Sequence, residues 1–163
     1  MPKNKGNRFH WGWSFIWMEA FYKFAGDYET AMAIMHRGYN FYYQPLEGFP
    51  RQIWSAAIGD LHRLTGNNDS AMYYLSPFAG DTTTWSSGKA NLAALYADLK
   101  QYDKALVLIT QPIDMEKGTN RLTVPLPAWL TIKAKIHLAR KEYNEALQYA
   151  RKGFDALKIM KGK

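Results

Sequence analysis

The chain of 163 residues contains no cysteine. This excludes disulfides, thiolate metal sites and a cysteine nucleophile, and leaves the redox compartment undetermined. The chain also lacks a run of ~18 apolar residues, which a bilayer-spanning helix needs, because Glu19 and Lys23 interrupt the longest candidate. The aromatic stretch that follows the charged first residues has no small-residue cleavage site of a signal peptide. We therefore expect a soluble protein, cytoplasmic rather than secreted.

The residue patterns that usually carry catalytic chemistry are missing as well. The segment Gly118-Thr119-Asn120 lacks the flanking glycine and lysine of a phosphate-binding loop. His10 and His36 have no carboxylate or second histidine at the spacing of a zinc site. We predict that the chain is not an enzyme and that it holds no cofactor and no metal.

Basic residues outnumber acidic ones, but most of the excess lies near the two ends. The formal net charge is +7, and the terminal basic residues are Lys3, Lys5, Arg8, Lys158, Lys161 and Lys163. The segment between them is close to neutral, without the basic patch on one face that binding to nucleic acid requires. We predict that residues 1–8 form a basic flexible tail that aids solubility, and we do not expect a nucleic-acid partner.

What the chain does contain is a recurring pattern of a helix, a short turn and a second helix. The second helix of each pair begins with an alanine that anchors it, and these alanines are Ala31, Ala71, Ala105 and Ala146. They are 40, 34 and 41 residues apart. A supersecondary unit that recurs at such a period is typical of an α-solenoid. We predict an all-α, right-handed solenoid of about four hairpins in one domain over residues 9–160, with repeats at about 9–43, 50–78, 87–112 and 127–160.

The repeats resemble the tetratricopeptide repeat (TPR). The resemblance rests on a large-small pair in the first helix (Ile58-Gly59, Leu92-Ala93, Lys133-Ala134), an aromatic near its end (Tyr22, His62, Tyr96, His137) and a turn tyrosine (Tyr28, Tyr102, Tyr143). It departs from the family pattern at Glu19, where a small residue is expected, and at Asn68, which replaces the turn tyrosine. The closing proline of the repeat is missing or displaced. His62 and His137 are predicted to be buried packing residues.

In the family that the chain resembles, the first helices line a concave groove that binds a peptide or protein segment. The resemblance implies that the groove residues here are Trp13, Ile16, Lys23, Asp60, Arg63, Lys135 and Leu138. Asn91, one position further round, is expected to reach into the groove and hydrogen-bond a peptide backbone. The family's clamp for a C-terminal carboxylate has no match, because Ile16 and Ala20 stand at its first-repeat positions. Ala90, Ala94 and Ala97 either leave room in the groove or serve close packing of the repeats. The implied partner is a peptide with large apolar side chains, and the implied role is that of a scaffold, including in signalling.

The first helix, expected over Phe9–Ala25, is apolar on almost every side. Trp17, Phe21 and Phe24 form a stripe on the side where a preceding repeat would lie. An apolar stripe of this kind needs a cover. We expect a neighbouring repeat of a longer parent chain or a second copy of this chain ahead of a lipid surface, so a homo-oligomer formed through the first helix stays open.

Helix ends and connectors follow from glycine, proline and polar clusters. We expect Asp69 or Asn68 to cap the fourth helix and Pro77 to end it. The sixth helix is predicted to end at Thr110, before a long loop over residues 111–126 that is either functional or an exposed elaboration.

Two alternative functions remain open. One is a ligand-sensing or regulatory region excised from a larger bacterial signalling protein, with a kinase or a transcription regulator attached. The other is a small-molecule binder or enzyme with a pocket lined by tryptophans such as Trp13, Trp17, Trp54 or Trp85.

Overall fold

The computed structural model describes residues 5–42, 49–80, 86–117 and 125–161. These residues form eight α-helices and one short 3₁₀ helix, Ser76–Ala79, and no strand. The α-helices are α1 (Lys5–Phe24), α2 (Tyr28–Tyr42), α3 (Phe49–Leu64), α4 (Asn68–Leu75), α5 (Ser86–Asp98), α6 (Tyr102–Lys117), α7 (Leu126–Ala139) and α8 (Tyr143–Lys161). The predicted all-α class is confirmed.

Each odd-numbered helix packs against the even-numbered helix that follows it, which gives four helical hairpins. The chain divides into two compact units of two hairpins each, Met1–Pro77 (unit 1) and Phe78–Lys163 (unit 2). In unit 1, α3 contacts α2 and α1, and in unit 2, α7 contacts α6 and α5. Within each unit, consecutive hairpins are therefore layered on each other. We refer to α1, α3, α5 and α7 as the first helices and to the others as the second helices.

The four hairpins share one turn. In each, a residue with positive φ lies two positions after the end of the first helix, and we call it the turn residue: Gly26 (80°), Gly66 (78°), Lys100 (60°) and Lys141 (64°). The residue after the turn residue donates its backbone N–H to the backbone carbonyl of the aromatic residue near the helix end. Examples are the bonds from Asp27 to Tyr22 (2.9 Å) and from Glu142 to His137 (2.9 Å). This is the hydrogen-bond pattern of the Schellman motif. The turn residues follow the spacing of the anchoring alanines, so the sequence repeat corresponds to a structural one.

The second helices begin in the same way as well. Ala31, Ala71 and Ala105 are fully buried, and Ala146 is 8% exposed. The N-terminal cap of α4 differs from the prediction: Asn67, and not Asp69 or Asn68, accepts a hydrogen bond from the Ser70 N–H on its side-chain oxygen (3.2 Å). Asn67 lies next to the turn residue, which is the position from which a side chain reaches the free N–H groups of the first turn.

The core of unit 1 lies between its two hairpins. Buried residues of α2 and α3 form one cluster, and partly buried aromatics of α1, α2 and α4 pack around it. The backbones come close where glycines allow it, since a Cβ on Gly38 would lie 2.3 Å from the Trp54 ring and one on Gly59 would lie 2.6 Å from Leu75. In unit 2 the fully buried side chains include Leu92, Leu95, Ile109, Ile113 and Ile136.

Several helix bounds differ from the predictions. Helix α1 begins at Lys5, inside the predicted tail, and α6 continues through Pro112 to Lys117. Proline removes one helical hydrogen bond, which explains why Thr110 was predicted as the end. Pro112 and Ile113 are nearly fully buried, and this packing keeps the helix going. Residues 111–117 of the predicted loop therefore belong to α6, and residues 118–124 lie outside the described part of the chain.

Candidate partner-binding surface

The predicted groove positions occupy one register on the structure. Counted back from the turn residue of its hairpin, each of them lies thirteen, ten, six or three residues before it, except Asn91, which lies nine residues before Lys100. The alignment of the first helices therefore agrees with the turns. How exposed these positions are differs strongly from hairpin to hairpin.

In unit 1 the structure brings three of the predicted groove residues together. Lys23 Nζ on α1 lies 3.3 Å from Asp60 Oδ2 on α3, and Arg63 Nη2 lies 2.9 Å from Asp60 Oδ1. Asp60 is buried, whereas the side chains of Lys23 and Arg63 are 21% and 17% exposed. The two cations neutralise the charge of the Asp60 carboxylate. Because Lys23 lies on α1 and Asp60 on α3, this cluster holds the two first helices of unit 1 together.

Glu19 also belongs to this cluster, although the sequence marks it only as a departure from the repeat pattern. Glu19 is 2% exposed, and its Oε1 lies 2.9 Å from Lys23 Nζ. Burial raises the pKa of Glu19, and the nearby Lys23 opposes this rise without cancelling it. Burial lowers the pKa of Lys23, but Asp60 and Glu19 outweigh it, so this pKa is raised. A carboxylate at a position that normally takes a small residue was the available signal.

The remaining unit 1 positions are partly covered. Trp13 and Ile16 are half-buried, and Ile16 packs against the unit 1 core. On α3, Ile53 and Ala56 are buried. The first-helix surface of unit 1 is thus largely closed by packing.

The most open groove positions lie in unit 2, on α7. Lys135 is exposed, Leu138 is 57% exposed, and Ala128 and Thr131 on the same stripe are also exposed. On α5, which packs beside α7, Asn91 is half-buried. Ala90 and Ala94 are buried, and Ala97 is half-buried, which supports close packing as the role of the first two. The exposed stripe of Ala128, Thr131, Lys135 and Leu138 is the α7 face.

Unit 2 also buries two lysines that sequence reasoning did not connect. Lys133 Nζ donates to Thr110 Oγ1 (2.8 Å) and lies 4.6 Å from the centre of the Tyr149 ring. Lys89 Nζ donates to Gln111 Oε1 (2.8 Å). Both lysines thus bridge a first helix to α6. A lysine in the large position of the repeat pair, here Lys133, was the only hint.

The histidines at the aromatic position pack against tyrosines of the second helices. The His62 ring stacks on Tyr74 at 5.7 Å, and the His137 ring stacks on Tyr149 at 5.3 Å. His137 is buried, and its Nδ1 lies 2.6 Å from Glu142 Oε2. Its predicted packing role is confirmed, whereas His62 is only half-buried. Burial, with a smaller effect of His36, lowers the pKa of His62.

A depression in unit 2 is lined by Lys100, Gln101, Tyr102, Asp103, Lys104 and Arg140, without a tryptophan. This shallow depression of about 390 Å³ lies at the turn before α6, next to the ion pair between Arg140 and Asp103. Trp54 is buried in the core of unit 1, 6.3 Å from the Phe15 ring, and Trp17 is 68% exposed. Trp85 lies outside the described residues.

The remaining observations concern metals, membranes and known proteins. Across the described residues, no three His, Asp or Glu side chains come together to hold a metal ion. Within the same part of the chain, no helix has the length and hydropathy that crossing a bilayer requires. No protein-family model matches the chain, and no curated protein matches it in sequence.

Proposed function

We propose that the chain is a TPR-like α-solenoid that binds a peptide or protein segment on its first helices. The observation that carries the proposal is the α7 face, where positions assigned to the groove by the sequence register are exposed together. The shared turn supports it, because the same turn closes the hairpins whose successive first helices contact each other within each unit. A face prearranged in this way binds without a further cost of ordering.

The chemistry of the α7 face indicates the kind of segment. Leu138 offers apolar area, and Lys135 offers a positive charge one turn away. Thr131 is already satisfied within the helix, since its Oγ1 donates to the Pro127 carbonyl (2.9 Å). The matching segment has a large apolar side chain and an acidic residue close to it. The unit 1 positions have a smaller role, because Asp60 pairs with both Lys23 and Arg63.

Selection from a displayed library of random peptides tests this function. Peptides selected on the full chain are expected to carry the apolar and acidic pair, and Leu138→Asp is expected to weaken their binding about tenfold or more. Fluorescence anisotropy with a labelled selected peptide measures the change.

The matched control is Val107→Asp. Val107 is an apolar residue of the same unit, 74% exposed on the second helix α6, so the substitution adds the same charge away from the α7 face. Binding that is lost in Val107→Asp but kept in Leu138→Asp contradicts the assignment to the first helices. A selection that enriches no sequence also contradicts it.

A further inference from the structure

Consecutive hairpins of unit 1 pack through a fixed set of register positions. The cluster between them holds Met35, nine residues after the turn residue Gly26, with Met32 and Tyr39 beside it on α2. From α3 it takes Ala57 and Leu61, nine and five residues before the turn residue Gly66. Met35 and Leu61 are fully buried.

Unit 2 repeats this interface between α6 and α7. The positions nine and thirteen residues after Lys100 are Ile109 and Ile113, which are 0% and 1% exposed. The position five residues before Lys141 is Ile136, which is 1% exposed. The joint between hairpins is therefore built twice from the same register positions, each time from a second helix and the following first helix.

The two end helices carry these same positions, but there they are exposed. On α1, Trp17 and Phe21 stand nine and five residues before Gly26, and each is 68% exposed. On α8, the positions six, nine and thirteen residues after Lys141 are Leu147, Ala150 and Phe154. Leu147 and Phe154 are 51% and 59% exposed, and Ala150 is exposed. Each end thus presents one half of the interface that is closed inside both units.

We propose that a second copy of the chain covers these faces head to tail, with α8 of one copy packed on α1 of the next. The side-chain sizes favour this pairing. Inside unit 1 the cluster holds the large Met35, nine residues after its turn residue, and the small Ala57, nine residues before its turn residue. At the ends the sizes are exchanged, with the small Ala150 on α8 and the large Trp17 on α1. A large side chain opposite a small one keeps the volume at the joint similar.

The interface is heterologous, because it joins two different faces. It is independent of the peptide-binding function, since it uses neither Lys135 nor Leu138. It differs from a symmetric dimer through α1 alone, which would leave α8 uncovered. The head-to-tail joint requires the exposed face of α8, whereas the symmetric dimer through α1 does not use it.

Sedimentation equilibrium of the full chain and two single-face variants separates them. We expect the average mass of the wild-type chain to rise with concentration, and Phe21→Asp and Phe154→Asp each to abolish the rise. Mixing the two variants is expected to restore a 1:1 dimer, because one contributes an intact α8 face and the other an intact α1 face. Val107→Asp, equally exposed but off both faces, is the control and is expected to associate like the wild type. Circular dichroism verifies that each variant keeps its helices.

Three results overturn the proposal. A wild-type chain that stays monomeric up to about 1 mM, the weak end of specific association, assigns the faces to another covering, such as further hairpins. Association that survives Phe154→Asp and is lost only in Phe21→Asp indicates the symmetric α1 dimer. Mixed variants that remain monomeric rule out the head-to-tail joint, whatever the single variants do. None of these results bears on peptide binding at the α7 face.

Discussion

The two units of the molecule bury charges of opposite sign. Among the described residues, unit 1 buries the carboxylates Glu19 and Asp60, and unit 2 buries the ammonium groups of Lys89 and Lys133. In unit 1 the buried acids are paired with a cation, whereas in unit 2 the buried lysines donate to the neutral oxygens of Gln111 and Thr110. The same hairpin scaffold thus accommodates a buried charge in two ways, with a counter-charge or with a hydrogen-bond acceptor.

This difference between the units determines how much stability is lost when one partner of a buried charge is removed. Removing one member of a buried ion pair leaves the other charged and unpaired, which is strongly destabilising. Replacing Lys133 by an apolar residue leaves behind only the neutral hydroxyl of Thr110. This hydroxyl keeps a hydrogen bond, because Oγ1 also donates to the Leu106 carbonyl (2.8 Å). The charges of unit 1 depend on each other, whereas those of unit 2 can be replaced singly.

The largest expected effect comes from replacing Lys23. Lys23→Met leaves Glu19 without a cation and Asp60 with Arg63 alone. We expect the free energy of unfolding of unit 1 to fall by about 3 kcal/mol. Urea unfolding, with amide hydrogen exchange to assign the loss to unit 1, measures it.

The matched variant in unit 2 is Lys133→Met. It removes a buried charge and its contact with the Tyr149 ring, and the expected change is less than about 1 kcal/mol. If Lys23→Met and Lys133→Met lower the free energy of unfolding equally, a counter-charge and a neutral hydrogen-bond acceptor do not differ in what they contribute to stability.

The hairpins and their register could be predicted from the sequence, because alanines and turn tyrosines repeat at positions that local geometry dictates. The predicted groove positions lie in the register that the turns define. Their exposure could not be predicted in this way. Asp60 and Ala94 are buried and Leu138 is exposed, although all three stand at predicted groove positions. Exposure depends on which helices lie alongside, and a single-helix pattern does not contain this information.

Features that depend on contacts between hairpins were missed for the same reason. Glu19 stands only as a departure from the repeat in the sequence, because its partner Lys23 is held from the other hairpin by Asp60 of α3. The sequence predicts that the sixth helix ends at Thr110, before Pro112, although burial of the neighbouring Ile113 carries α6 past this proline. In both cases tertiary packing overrides a valid local rule.

The two units also differ in how one carboxyl group of each makes stability depend on pH. Burial raises the pKa of Glu19 above its usual 4.5, so the folded state binds more protons than the unfolded state between 4.5 and the raised value. The contribution of Glu19 to stability is therefore full below 4.5 and is lost as the pH rises through its folded pKa. Hydrogen bonds from His137 and Arg140 lower the pKa of Glu142 in unit 2. Its contribution is present above 4.5 and is lost as the pH falls through its folded pKa.

Glutamine variants at these two positions isolate the two effects. We compare the unfolding free energy of the wild type with that of Glu19→Gln and of Glu142→Gln between about pH 3 and pH 7. On acidification the wild type is expected to gain relative to Glu19→Gln and to lose relative to Glu142→Gln. Two difference curves with the same sign of slope would show that one of the carboxyl groups has a different environment in solution.

The smallest expected effect concerns the turn residues, which are glycine in unit 1 and lysine in unit 2. A side chain at positive φ costs about 1 kcal/mol, so Lys141→Gly is expected to stabilise the last hairpin by up to that amount and Gly66→Lys to destabilise the second by a similar amount. A Cβ at Gly66 would meet no atom within 4 Å, so the cost there is one of backbone conformation alone. Thermal and urea unfolding measure both changes. If the turns are equivalent, the two changes are equal and opposite. A gain in Lys141→Gly that is smaller than the loss in Gly66→Lys would mean that the Lys141 side chain stabilises its own turn and offsets part of the strain.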